Sequence, residues 1–355
     1  MIICPQILTN KKSACRMKLQ ALFIIDFFLR GEQVVTENLA ETVLFTPLGR
    51  EANELYILSG YATPNMLSWY ITNIQHRTQS PIKIHLLVGM VPFDRLSVSV
   101  HEGFVQLVSS DLPQEVELVE CSYICEAPAV HSNIFIWAKG GVPYQAFMGS
   151  ANFVQSSFVG HHRQELMTEC DPSEAMQYYQ AQVGRSIYCT HGEIEEYVVL
   201  QPTHPVLDLE SNLIDDVTEL ANEGIDFVTL SLVTRTGEPG RRSGLNWGQR
   251  PRRDPNEAYI SLPARIARSN FFPMEYKHFT AITDDRHQLT LRIEQQNDKA
   301  ITTPARNSDL GEYFRNRLGL ANGAYVTRAD LDSYGRTNVV FYKLDDETYY
   351  MDFSS

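Results

Sequence analysis

The first half of the chain alternates apolar, strand-like runs with helix-like segments, and that alternation limits the folds open to it. Glu54–Tyr61, Ile82–Val88, Val116–Ile124, Val130–Trp137 and Tyr144–Met148 read as strands. Pro64–His76, Ser97–Ser109 and Pro172–Ile187 read as helices, two of them opened by proline. Proline suits a first helical turn, where its missing N–H has no partner to lose. Such alternation implies an α/β layer with a largely parallel or mixed sheet. The second half differs. Strands are expected at Asp226–Thr234, Tyr259–Leu262, Phe279–Thr283, Gln288–Glu294, Asn338–Leu344 and Thr348–Phe353, with short helices at Pro263–Asn270 and Asp309–Leu318. This pattern predicts a β-rich barrel or sandwich. Between the halves, residues 207–226 hold seven acidic and no basic side chains, just after Pro202 and Pro205. The expected organisation is therefore an α/β domain over 1–200, an acidic linker over 201–225 and a β-rich domain over 226–355.

The charge balance is 30 Lys+Arg against 43 Asp+Glu, a net of −13. Read globally, that argues against nucleic acid, because duplex binding depends on neutralising phosphates. A binding site responds to local charge, however. Arg235–Arg306 holds thirteen basic and eight acidic residues. Within it, Arg235–Arg253 (RTGEPGRRSGLNWGQRPRR) carries six arginines against one acid, Glu238. Its Gly, Pro, Ser and Asn content makes it a loop. Arginine forks, Asn246, Gln249 and Trp247 are groups that grip phosphates and read base edges. A solvated basic loop is the plainer reading of composition alone.

Six scattered cysteines are too few for a disulfide scaffold, and a reducing cytoplasm is expected. Cys121 and Cys125 lack a second Cys/His pair at zinc-finger spacing, so free thiols are expected rather than zinc. Lys11, Lys12, Arg16 and Lys18 precede an apolar run, Leu19–Leu29, which Asp26 interrupts. The run is too short to span a bilayer and reads as a buried strand or helix, with no membrane partner expected. Residues 1–16 read as an extension, with Met17 an alternative start.

The most informative stretch is His131-Ser-Asn133 followed by Phe147-Met-Gly-Ser-Ala-Asn-Phe153. On a strand, His131 and Asn133 share a face. Gly149 lets backbone approach an anion, while Ser150 and Asn152 offer hydroxyl and amide donors. An imidazole beside such donors suits phosphoryl transfer: the ring attacks phosphorus and the donors hold the equatorial oxygens. His161 and His162, being adjacent, face opposite sides of a strand and read as loop residues rather than ligands of one metal.

These residues resemble the phospholipase D superfamily, whose motif is H-x-K followed by G-S-x-N. The resemblance implies a role for Glu165 in Gln164-Glu165-Leu-Met167 as the acid that orients the histidine. One motif occurs in the chain, which implies an active site shared across a homodimer. One histidine then becomes phosphorylated, its two-fold mate protonates the leaving oxygen, and no metal or cofactor is needed. The chain departs from the motif at Asn133, where the family has lysine. Arg163 is a candidate replacement cation; a surface or salt-bridge role is its plainer reading.

In the second half, Asp254–Pro263, Phe271-Phe-Pro273, Phe279–Asp285, Gly311–Gly319 and Tyr334–Phe341 follow in an order that resembles the B3-like DNA-binding pseudobarrel of restriction endonucleases. The loop over 236–256 corresponds to its N-terminal arm and Gln295–Arg306 to its C-terminal arm. DNA contacts are then expected from Arg241, Arg242, Asn246, Trp247, Gln249, Arg250, Arg252 and Arg253, and from Gln296, Asn297, Lys299 and Thr302. Together the halves resemble the NgoFVII family of restriction endonucleases. That resemblance implies sequence-specific, metal-independent cleavage of double-stranded DNA, a cognate methyltransferase and, in some systems, a separate ATPase or helicase-like subunit. Asn133 leaves open a second reading, a DNA-binding protein without nuclease activity. A phospholipid-hydrolysing enzyme would leave the arginine loop unexplained.

Overall fold

The computed structural model describes residues 34–50, 52–75, 77–78, 80–160, 163–203, 224–294 and 299–355. The expected N-terminal extension and apolar run, His161, His162, most of the acidic linker, Gln296 and Asn297 lie outside the described residues.

In chain order the first ten strands are β1 (Val34–Val35), β2 (Glu54–Ser59), β3 (Ile82–Val88), β4 (Leu96–Ser97), β5 (Val116–Ile124), β6 (Asn133–Lys139), β7 (Val142–Gly149), β8 (Met167–Cys170), β9 (Ser186–Tyr188) and β10 (Leu200–Gln201). Eight of them form one sheet in the order β1-β8-β7-β6-β2-β3-β5-β9, and β4 pairs separately with β10. At the centre β2, β3 and β5 run parallel. Parallel neighbours need crossovers, and helices α1 (Pro64–Asn73) and α2 (Val98–Ser109) supply them. Thr63 caps α1 by accepting from Met66 N, and Ser97 caps α2 by accepting from Val100 N. A third helix, α3 (Pro172–Val183), covers the other face over Leu58, Ile134 and Ile136. It is shorter than the sequence predicts. Gly184 ends it, and Ser186–Tyr188 pair with β5 instead. Because both faces are covered, β6 is an unbroken buried run from Asn133 to Ala138.

The second body is a seven-stranded sheet built from β11 (Phe227–Ser231), β12 (Ile260–Ser261), β13 (His278–Thr283), β14 (Gln288–Glu294), β15 (Ala300–Thr302), β16 (Asn338–Lys343) and β17 (Thr348–Asp352). Its order is β11-β16-β17-β13-β14-β15-β12, antiparallel except for β13 with β17. The edge strands β11 and β12 come side by side, so the sheet rolls into a nearly closed barrel. Helix α4 (Ser308–Arg317) and helix α5 (Arg328–Tyr334) pack against it. Leu310, Phe314 and Leu331 join Phe279, Phe341 and Tyr349 in its core. Arg315 of α4 is fully buried and donates to five carbonyls: Ala324, Asn256, Gly311, Leu245 and Pro255. One guanidinium thereby satisfies loop backbone that has no ladder partner.

The two bodies meet along α1. His278 Nδ1 lies 3.1 Å from Ser68 Oγ, and Thr280 Oγ1 donates to Asn65 Oδ1 at 3.2 Å. Thr63 Oγ1 donates to Glu347 Oε2, and Asn65 Nδ2 to Glu347 O. Burial, with Arg292 nearby, pushes the His278 imidazole down to about 3, so it is neutral in this contact. Burial also raises the Glu347 carboxyl above its ordinary range, against the opposing hydrogen bonds from Gln155, Thr63 and Asn65. A carboxyl raised on folding binds more protons in the native state. Its contribution is therefore complete below the unfolded value and is lost as pH rises through the folded one. We expect Glu347→Gln to flatten the fall in Tm between pH 4 and pH 7. Calorimetry across that range checks it, and parallel pH slopes in the two proteins would contradict it.

Candidate active site and nucleic-acid interface

The register of the first sheet brings four chain segments to one edge. Leu58 faces Ile134, Asn133 faces Gly149, and Gly149 faces Met167. Ser59-Gly60-Tyr61 therefore leaves β2 beside His131, which enters β6. Ser150 and Asn152 leave β7 beside Glu165, which enters β8. Two glycines permit this crowding. A Cβ on Gly60 would lie 3.2 Å from Asn152 Oδ1 and 3.3 Å from His131 Cα. One on Gly149 would lie 2.0 Å from Leu166 O.

His131 is exposed, with its ring edge-on to Tyr61 at 5.7 Å. Its segment is held on both sides: Val130 N donates to Gly89 O, and Ser132 Oγ lies 3.1 Å from the Tyr178 hydroxyl of α3. No hydrogen bond fixes the imidazole among the described residues. Tyr61 is held by Asp94, whose carboxylate accepts from the phenol and raises its pKa above the ordinary value.

Asn133 is 4% exposed and uses both ends of its amide. Oδ1 accepts from Gly60 N at 3.0 Å and lies 2.9 Å from Ser59 Oγ. Nδ2 donates to Ser150 O at 3.0 Å and reaches Gly149 O at 3.5 Å. It thus joins β2, β6 and β7 and has no free donor for a phosphate. Ser59, which the sequence reading missed, also accepts from Phe153 N at 2.9 Å.

Ser150 and Asn152 differ in what they have left to offer. Ser150 Oγ donates to Glu165 and accepts from Leu166 N. Asn152 Oδ1 accepts from Tyr61 N at 3.0 Å, while its Nδ2 makes no hydrogen bond among the described residues. Glu165 Oε1 accepts from Ser157 Oγ at 2.8 Å. The expected partner of Glu165 was His131; the structure gives it two serines instead. Arg163 lines a cleft shared with Asp345, Asp346 and Glu347 of the barrel. Among the described residues no His/Cys/Asp/Glu group could hold a metal ion.

In the barrel, the loop expected to be the N-terminal arm folds back as a helical turn, Gly244–Gln249. This revises several expected DNA contacts. Asn246 is fully buried; its Nδ2 donates to Val326 O and its Oδ1 accepts from Val326 N, both at 2.8 Å. Trp247 is buried beneath the Arg253 guanidinium, 3.9 Å from its ring, and Arg253 also pairs with Glu257. Gln249 Nε2 donates to Gly323 O and Pro255 O. Thr302, placed by sequence on the C-terminal arm, is buried in β15 and donates to Glu294. Backbone and carboxylate partners thus take the Asn246 amide, Gln249 Nε2 and the Thr302 hydroxyl, so these donors are not free for a base edge. Arg250 gives its Nε to Arg242 O and keeps the rest of its fork exposed. Arg241, Arg242, Arg252 and Lys299 are exposed, with no side-chain hydrogen bond or ion pair among the described residues. They flank β12, since Tyr259 N donates to Gly244 O on one side and Leu262 N to Lys299 O on the other.

A strand-end site with histidine and G-S-x-N donors, joined to a barrel with exposed basic loops, defines a phospholipase D-like nuclease domain fused to a B3-like DNA-binding domain. Family models agree over most of the chain: residues 37–196 match the NgoFVII restriction endonuclease N-terminal PLD domain, and residues 220–345 match the NgoFVII C-terminal B3-like DNA-binding domain. The chain belongs to the NgoFVII restriction endonuclease family. Among solved structures, NucT from Helicobacter pylori is 15% identical, covering 44% of this chain and 98% of its own, with a TM-score of 0.30. Nuc, a phospholipase D family member from Salmonella typhimurium, is 13% identical over 44% of this chain and 96% of its own, also with a TM-score of 0.30. No curated protein matches the chain. No helix among the described residues is long and apolar enough to cross a membrane.

The geometry around Asn133 yields a prediction. Lysine there would bury an ammonium and leave Gly60 N without its acceptor. We expect Asn133→Lys to lose about 2–4 kcal/mol of stability, the range for an unsatisfied buried polar group or charge. Urea unfolding measures this, and a variant as stable as wild type would contradict the structural role.

Proposed function

We propose that this protein is a restriction endonuclease that cleaves double-stranded DNA at a specific sequence, without metal, through a phosphohistidine at His131. The convergence of His131, Ser150 and Asn152 at one strand-end edge carries this reading. The His131 imidazole attacks phosphorus, and the P–O bond to the leaving oxygen breaks. The symmetry-related histidine of a second copy gives that oxygen its proton. Water then attacks the phosphohistidine, gives a proton back to the second histidine, and frees His131. The Asn152 amide has the free donor for an equatorial oxygen, while Ser150 and Glu165 hold the loop in shape. A homodimer follows from the single motif. Exposed Tyr61, Met148 and Leu166 around this edge suit an interface. A methyltransferase and an ATPase-type subunit are the partners that the family resemblance implies, and the cytoplasm is where such a system would act.

Incubating the protein with unmethylated genomic duplex DNA in excess EDTA tests the reaction. Cleavage that survives chelation and disappears in His131→Ala is expected; cleavage that needs added divalent metal overturns the mechanism. Asn133 favours one competing reading, a sequence-specific DNA-binding subunit, because among the described residues no cationic side chain takes the place of the motif lysine beside His131. Sequence-specific binding by a wild-type dimer that never cuts would support it.

We assign DNA binding to Arg241, Arg242, Arg250, Arg252 and Lys299, and the family resemblance adds Gln296 and Asn297 as expected contacts. Each lost phosphate contact lowers the salt dependence of log K by about 0.9. A double Arg241→Ala, Arg252→Ala variant is therefore expected to bind more weakly, with a slope reduced by about 1–2. Anisotropy titrations between low and physiological salt read this, and an unchanged slope would remove these arginines from the interface.

A further inference from the structure

The loop that carries Ser150 and Asn152 does not end at the site. It runs through Phe153, whose N–H is held by Ser59, to Gln155, which is fully buried. There the Gln155 amide meets the barrel. Its Oε1 accepts from His278 N at 2.8 Å, and its Nε2 donates to His278 O at 2.8 Å. His278 opens β13 two residues before β17 joins that strand at Thr280. Thr280 N donates to Glu347 O on the β17 side, and His278, by the two-residue period of a strand, points its N–H and C=O the same way. Without Gln155 that side of His278 would have no ladder partner. A side chain from the nuclease domain thus continues the barrel's own hydrogen-bond ladder.

This contact differs from the others between the two bodies. Asn65 with Thr280 and Ser68 with His278 fasten α1, which carries no site residue. Gln155 lies three residues after Asn152, and Val154 N donates to Asn152 O at 2.8 Å between them. The loop is therefore fixed at one end by Ser59 and at the other by the DNA-binding domain. We propose that Gln155 is a positioning residue for cleavage: through His278 it makes the placement of Ser150 and Asn152 depend on the docked DNA-binding domain. This rests on the nuclease reading above. It gives the barrel a second role, holding the phosphate-binding loop in its working geometry.

The full-length protein tests it on unmethylated genomic duplex DNA, with single-turnover cleavage and DNA affinity measured on the same samples. Gln155→Met keeps side-chain volume and removes both bonds to His278, together with the one to Glu347. Its cleavage rate is expected to fall at least tenfold while the Kd for DNA changes less than twofold. Thr280→Val, which loosens the same interface without touching the loop, is expected to leave both within twofold. Gln155→Glu keeps the acceptor for His278 N and is expected to fall between wild type and Gln155→Met; it carries the test if Gln155→Met does not fold. Wild-type cleavage beside an unimpaired Gln155 variant overturns this inference alone. An equal loss in Thr280→Val also overturns it, by showing general loosening. A wild-type protein that binds DNA and cuts none overturns the nuclease reading, and this inference with it.

Discussion

Asn133 commits its buried amide to Gly60 and Ser59 on one strand end and to Ser150 on another. Three segments far apart in sequence are thereby held at hydrogen-bond distance, and the neighbouring positions follow. Gly60 sits under His131, Tyr61 N reaches Asn152, and Phe153 returns to Ser59. Ser59, Gly60, Asn133 and Phe153 are buried, where a polar group is costly to leave unpaired, so their bonds hold as a unit. The residue that departs from the family motif is thus the one that braces the edge. What it no longer supplies is positive charge.

The second constraint is the contact between the bodies. It contains a neutral histidine, two buried amides and a carboxyl raised by burial, and among the described residues Glu347 forms no ion pair with an arginine or lysine. Such an interface depends on geometry more than on charge, because neutral hydrogen bonds are directional and little affected by salt. That suits a protein whose DNA-binding loops carry their charge elsewhere. The exposed arginines of residues 241–252 and the pairs of the interface are separate sets, so salt can weaken DNA binding without loosening the domains.

Much of the fold was legible. The strand and helix runs of both halves, the proline-opened start of α1 and the histidine and G-S-x-N spacing all appear in the structure close to where pattern places them. The errors cluster at polar side chains in irregular backbone. Asn246 and Gln249 have the chemistry of base readers, yet each satisfies backbone from the 323–326 segment. Glu165 was expected at His131 and lies instead on Ser150 and Ser157. Gln155 gave no signal, because a glutamine in a turn reads as solvated until its partner strand is known. Ser59 and Gly60 gave a faint one: a small residue and a glycine ending a buried strand.

Periodicity is a local property, so the sequence alone determined where strands and helices form, which faces are apolar, and that a histidine would stand beside hydroxyl and amide donors. It also showed that a net acidic chain concealed an arginine-rich loop. Whether a given polar side chain meets solvent, a phosphate or a buried carbonyl was decided only by tertiary structure. The competing partners lie on segments that approach only after folding: Ser59 with Asn133, Gln155 with His278, Asn246 with Val326. An amide or hydroxyl has the same chemistry in each case. The distance to the nearest unpaired group, fixed by the packing of two sheets and the helix between them, assigns its role.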